Sequence, residues 1–206
     1  MAPVDTARLP RGRHGLSREE VGRAQRARLL AAMADAVSRK GFVATTVADV
    51  LAGAGVSRET YYQQFPSKSA CFMATFDAAA EVLFARVDEG LDRDLAPIER
   101  FAVVFDRYLD TLVEHRAYAR VFLVEVYAAG PEAIDRRAAM QQRIVDVVAE
   151  LLGTTGTRGR FACTVLVAAV GALVTKPLVD DDLDALRALR DPVVDLVARV
   201  LATADH

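Results

Sequence analysis

Arg58, Glu59, Tyr62 and Gln63 stand three and four residues apart in pairs, so on a helix they share one face. These are side chains suited to reading a nucleic acid. Arginine can pair twice with guanine O6 and N7, and glutamine twice with adenine N6 and N7. A tyrosine hydroxyl can donate to a phosphate. Lys68 adds a separate argument. It follows Ser67, a cap residue, and so falls in the first turn of the next helix. A cation there opposes the helix dipole. A phosphate held jointly by the ammonium and the helix N-terminus would remove the conflict.

The elements that must position these groups are helical. Ser17-x-x-Glu20 is a capping box, and Val21, Ala24, Ala27, Leu30, Ala34 and Val37 then recur at helical spacing up to Gly41. Thr46 to Asp49 caps a short second helix that reaches Ala52 and breaks at Gly53-Ala54-Gly55. Ser57 caps a third helix, from Arg58 to Phe65, which Pro66 stops. The pair reads as a helix-turn-helix, with Val47, Val50, Val56, Tyr61 and Phe65 inward and Arg58, Glu59, Tyr62 and Gln63 outward. Two packed helices with a merely polar outer face would show the same spacing.

A fourth helix starts at Ser67 and carries Phe72, Phe76, Ala79, Leu83 and Val87 on one face. Further helices follow from Pro97, over 116–129, 132–152 and 160–178, and from Asp191 to near the end. The run from Phe161 to Thr175 has no charge, which predicts burial on several sides. The fold class is all-α, with no convincing strand. The organisation predicted is an arm over 1–16, a helix-turn-helix domain over 17–66 and a helical bundle over 67–206.

Composition agrees with this reading and excludes others. Apolar residues make up 52% of 206, enough for a real core. The net charge of −2 hides an asymmetry: residues 1–70 carry a net +5 and the remainder −7. A basic first third suits a polyanionic partner. Arg8, Arg11 and Arg13, with His14, form an arm that could enter a minor groove or remain a flexible terminus. Cys71 and Cys163 are too far apart for a disulfide scaffold or a cysteine-rich zinc site, and His14, His115 and His206 are too scattered for a metal. Asp180, Asp181, Asp182 and Asp184 match no EF-hand and read as a solvated loop. No catalytic Ser/His/Asp order, phosphate loop or dinucleotide fingerprint is present, so no enzyme activity, cofactor or metal is expected. No leader segment stands out, and the longest uncharged run is shorter than the roughly 20 residues of a bilayer span. A cytoplasmic protein without membrane contact is the default.

The order T-T-V-x-D-V…A-G-V-S-x-x-T-Y-Y-x-x-F-P-S-K over Thr45 to Lys68 closely resembles the DNA-binding domain of the TetR family of transcriptional regulators. The likeness is specific over Arg26 to Phe76 and loose beyond. It implies a homodimer that binds a near-palindromic double-stranded operator and is released by a small-molecule effector held in the C-terminal bundle. By position it places Thr46, Tyr62 and Lys68 on phosphates, and Arg58, Glu59, Thr60, Gln63 and Gln64 on or beside bases. Leu51 departs from the small residue usual in the family, which predicts a slight tilt of the recognition helix.

The effector site is less legible. Glu125 interrupts an apolar string beside Tyr118 and Phe122, as a polar anchor in a pocket, a solvent-facing group or a cap on a neighbouring helix. Phe76, Leu83, Phe105, Tyr108, Phe122 and Cys163 complete the candidate set, each also suited to an ordinary core. The fourth helix is expected to link effector to DNA, as the single element touching both. Two other functions fit the pattern: an all-helical small-molecule binder or enzyme that does not bind an operator, and a TetR-like activator.

Overall fold

The structure, a computed structural model, describes residues 17–88 and 94–204. The Arg8, Arg11, Arg13 and His14 arm lies outside the described residues. Within them the chain is helical, without a strand.

Four helices build the N-terminal part: α1 (Arg18–Ala44), α2 (Val47–Ala54), α3 (Arg58–Gln64) and α4 (Lys68–Asp88). The Ser17–Glu20 capping box opens α1, with the Glu20 carboxylate accepting from Ser17 N–H at 2.6 Å. Gly41 has φ +77° and breaks the helical path before Ala44, as expected of the stop after Lys40. Thr46 and Asp49 cap α2 reciprocally. Helix α2 runs on through Gly53 and ends at Gly55, in the left-handed region at φ +62°, rather than breaking at Gly53. Gly53 serves packing instead. A Cβ built there would stand 3.0 Å from the Ala32 Cβ, so the missing methyl lets α2 close on α1.

Tyr61 is fully buried and donates its hydroxyl to Ser67 O at 3.2 Å, pinning the end of α3 to the start of α4. Phe72 and Phe76 continue the same core along α4. Full burial of one such ring contributes about 1.5–3 kcal/mol. Burial also pushes the Cys71 thiol beside Tyr61 up to about 11.

The bundle comprises α5 (Pro97–Glu114), α6 (Arg116–Leu123), α7 (Pro131–Leu151), α8 (Gly156–Asp180), α9 (Leu183–Ala188) and α10 (Arg190–Ala204). The predicted helix 116–129 is divided. Helix α6 stops at Leu123, and a 3-10 turn (Glu125–Ala128) completes the segment. Helix α4 packs on α5 and α6, while α1 packs on α6 and on this 3-10 turn. Helix α1 therefore touches the bundle as α4 does, so α4 is not the sole bridge.

The expectation for the uncharged run is also corrected. Helix α8 buries Cys163, Val174 and Leu178 on one side only. Phe161, Val165 and Leu173 lie exposed on another, at 69%, 52% and 48%. By length and composition alone α8 could cross a bilayer.

Candidate functional site

Two regions separate in the structure: the outer face of α3 and a cavity inside the bundle. On α3, Arg58, Glu59, Tyr62 and Gln63 are all exposed, the arrangement that the spacing predicts. The Tyr62 ring stands edge-on against Tyr61 at 5.3 Å and is itself 48% exposed. The Gln63 amide reaches Glu59 Oε1 at 3.4 Å. Thr60 and Gln64 are half-buried, and the Thr60 hydroxyl lies 2.9 Å from that of Ser57. Thr46 is exposed, but its hydroxyl donates to Asp49 Oδ2 at 2.8 Å and accepts from Asp49 N–H at 3.2 Å. Asp49 also pairs with Lys40 at 2.5 Å. The Lys40 ammonium first, then the Thr46 backbone and hydroxyl, hold the Asp49 carboxyl well below the usual carboxylate range.

Lys68 has partners that the sequence does not foretell. Its ammonium donates to Phe42 O at 2.8 Å, Thr45 O at 2.9 Å and Val43 O at 3.3 Å, and lies 4.3 Å from the centre of the Phe42 ring. These are carbonyls at the end of α1, where the helix dipole is negative. The unfavourable start of α4 is thus offset by a neighbouring helix end, with no phosphate required.

Glu125 meets the same residue from the other side. Its Oε2 accepts from Phe42 N–H at 2.8 Å, beside Gly41. Of the roles open to it, the structure gives the cap on a neighbouring helix: Glu125 does not line the cavity. The turn at Gly41 leaves the Phe42 N–H without its helical acceptor, and the carboxylate supplies one. Phe42 is therefore held by its N–H from the bundle and by its C=O from α4, with its ring 4.7 Å from that of Phe72.

The cavity has a volume of about 620 Å³, in the range of small-molecule sites. Its walls come from α4 through Phe84, from α5, α6, the 3-10 turn, α7 and α8. Phe105, Tyr108 and Phe122 line it, three of the seven predicted residues. Phe76 does not; it stacks behind Phe122 with ring centres 4.9 Å apart. Cys163 does not either. It faces the α7–α8 connection, where its sulfur lies 3.4 Å from Thr154 Oγ1. The side chain of Leu83 lies outside the described residues. Burial drives the Tyr108 phenol above its ordinary value, with the Arg137 charge acting in the opposite direction. Helix α7 supplies a wall that the candidate set omitted, through Arg137, Gln141, Ile144 and Val148. Their steps of four, three and four residues form one helical stripe, a signal present in the sequence.

Residues 29–75 match the family model described as bacterial regulatory proteins, tetR family. Over 170 residues, 80% of this chain and 75% of that protein, the sequence is 28% identical to the HTH-type transcriptional regulator EthR of Mycolicibacterium smegmatis. The fold is that of the regulator FadR from Bacillus subtilis, solved with stearoyl-CoA, at a TM-score of 0.73 and 18% identity over 82% of this chain and 96% of that one. A TetR-like regulator from Rhodococcus sp. superposes at 0.69 with 21% identity, covering 91% and 96%. Residues 29–75 are a TetR-family helix-turn-helix, and the whole chain is similar to TetR-family transcriptional regulators.

The TetR match runs from α1 into α4 and so contains α2, α3 and Lys68. The cavity lies beyond it, apart from the α4 wall. The family model thus falls on the helix-turn-helix, and most of the cavity wall lies outside the residues it matches. Among the described residues, no group of His, Cys, Asp and Glu could hold a metal ion.

Proposed function

We propose that this regulator is a ligand-responsive repressor, binding a near-palindromic operator as a homodimer and released when a small apolar effector fills the cavity. The arrangement at Phe42 carries this reading. Cavity-lining Phe122, Leu123, Val124 and Tyr127 flank Glu125, whose carboxylate holds Phe42, whose carbonyl in turn holds Lys68 at the start of α4. An effector pressing on that wall shifts Glu125 and loosens the end of α1, and the reader moves with it. Phe76, stacked behind Phe122, gives α4 a second contact with the same wall. The effector acts by population shift, binding the released geometry more tightly than the operator-bound one.

In this reading the arm is 1–16, the reader 17–66 and the effector and dimer domain 67–206. Arg58, Glu59 and Gln63 read bases, with Thr60 and Gln64 beside them, and Tyr62 and Thr46 meet phosphates. Lys68 supports the reader through the carbonyls at the end of α1. The exposed apolar stripe Phe161, Val165 and Leu173 of α8 is covered by a second copy, with Leu196 of α10 adding to the apolar surface. The bound stearoyl-CoA of the Bacillus subtilis protein supports an effector with a long apolar part.

The test uses operator duplexes selected from random DNA and read by fluorescence anisotropy. Arg58→Ala or Gln63→Ala should cost on the order of 1–3 kcal/mol per base contact and relax preference at one position of each half-site. Tyr62→Phe should weaken all sequences alike. Equal losses on operator and random DNA for all three variants would remove α3 as the reading face.

A further inference from the structure

Among the described residues, Arg137 is the one charged side chain on the cavity wall, and no Asp or Glu lines it. Its Nε is buried without a hydrogen-bond partner, and no carboxylate within 4 Å forms an ion pair with it among those residues. What it does have is weak: Nη1 lies 3.4 Å from Gln141 Oε1, and the guanidinium carbon 5.0 Å from the centre of the Tyr127 ring. Several other arginines also leave a buried nitrogen unpartnered, but none of them lines the cavity. Tyr127 is 58% exposed and marks the rim, so Arg137 stands near the mouth. The inner wall is apolar, with Phe101, Phe105, Leu151 and Leu166 among its residues. A half-buried guanidinium with a free buried N–H requires an acceptor, and a negative one serves it best.

We propose that the cavity takes an anionic amphiphile: an apolar chain in the bundle, with a carboxylate or phosphate head held at the mouth by Arg137 and, beside it, Gln141 and Tyr127. The inference rests on reading the cavity as the effector site and adds the sign of the effector's charge and the residue that selects it. Carboxylate and phosphate share the chemistry Arg137 offers, since guanidinium binds either through two parallel N–H donors. Tyr108, half-buried in the same wall, can donate its hydroxyl to an oxygen of the head.

Four probes with one chain length separate the terms: dodecanoate, dodecyl phosphate, dodecanol and dodecyltrimethylammonium. Each is titrated below its aggregation limit into the full-length protein without DNA, by calorimetry. The anion with the better-matched head should bind at least about tenfold more tightly than the alcohol, the range of a charge-assisted hydrogen bond, and the cation should bind most weakly. The tighter of the two anions then names the head. In Arg137→Gln the anion advantage should shrink to within about threefold, while dodecanol binds as before; the alcohol thus reports that the cavity is intact. Arg137→Lys should restore part of the preference. Equal binding of alcohol and both anions in the wild type would overturn the proposal, as would an equal loss of all probes in Arg137→Gln. A separate measurement, operator release by the tighter anion, tests the effector reading. Head selection without release would refute that reading and leave the charge preference standing.

Discussion

Glu125→Ala removes the one carboxylate that holds the Phe42 N–H, and its effect can be worked from the geometry. The bond is 2.8 Å long, charge-assisted and half-buried. Such bonds contribute about 1.5–3 kcal/mol, and partial exposure argues for the lower end. If the bond belongs to the operator-binding geometry and is released with the effector, its loss moves the equilibrium between the two geometries by about tenfold toward release. At saturating operator the effector concentration for half-release depends inversely on that equilibrium, so it should fall about tenfold, the basis being thermodynamic linkage. Operator affinity without effector should fall by anything from nothing to about tenfold, depending on how strongly the wild type favours the bound geometry. Glu125→Gln keeps an uncharged acceptor and should fall between the two. The assay is anisotropy of a labelled operator titrated with the tightest-binding of the four dodecyl probes, with thermal unfolding to show that each variant is folded. An unchanged half-release concentration in folded Glu125→Ala would refute the joint at Phe42 as the route from cavity to reader.

Lys68→Met should lower stability by about 2 kcal/mol in urea unfolding, because three carbonyls at the end of α1 lose a charged donor. Its salt slope for DNA should stay within about half a unit of wild type, whereas loss of a phosphate contact in each subunit would flatten it by about 1.8. Asp49→Asn should destabilise the protein at pH 7, and the gap from wild type should close as the pH falls below about 4. The sign follows from a carboxyl held below its ordinary value in the folded state: its stabilisation is present above the unfolded value and lost on acidification. A gap as wide at pH 2 as at pH 7 would count against it. Leu173→Glu should convert a dimer of about twice the chain mass into a monomer in sedimentation at micromolar concentration, since it places a charge in the exposed stripe of α8. A dimer of unchanged mass would mean that this stripe is not the interface.

The helix-turn-helix was legible in the sequence because its signals are local. Caps at Ser17, Thr46, Ser57 and Ser67 fix helix starts, and the inward set Val50, Tyr61 and Phe65 follows from spacing within a few residues. The partners of Lys68 and Glu125 were not, because they lie 23 to 26 and 83 residues away and are backbone atoms, which carry no residue-type signature. The cavity in the bundle fell between these cases. Aromatic residues identified part of it, but Phe76 and Phe122 look alike in sequence, and only packing decides which ring faces the void and which one backs it. The uncharged run of α8 was legible as a demand for cover, and this chain meets that demand on one side of the helix only.

The contacts at Phe42 have an evolutionary consequence. The hydrogen bonds of Glu125 and Lys68 go to the main-chain N–H and C=O of residue 42, while the Lys68 ammonium also lies over its ring. The identity of residue 42 is therefore constrained by the space beside Phe72 and by the ammonium over its ring, whereas another apolar side chain would leave both main-chain hydrogen bonds intact. The burden of inheritance falls on positions 125 and 68, which must keep an acceptor and a donor of the right reach. Descendant sequences could thus change the surface around residue 42 while keeping both main-chain links.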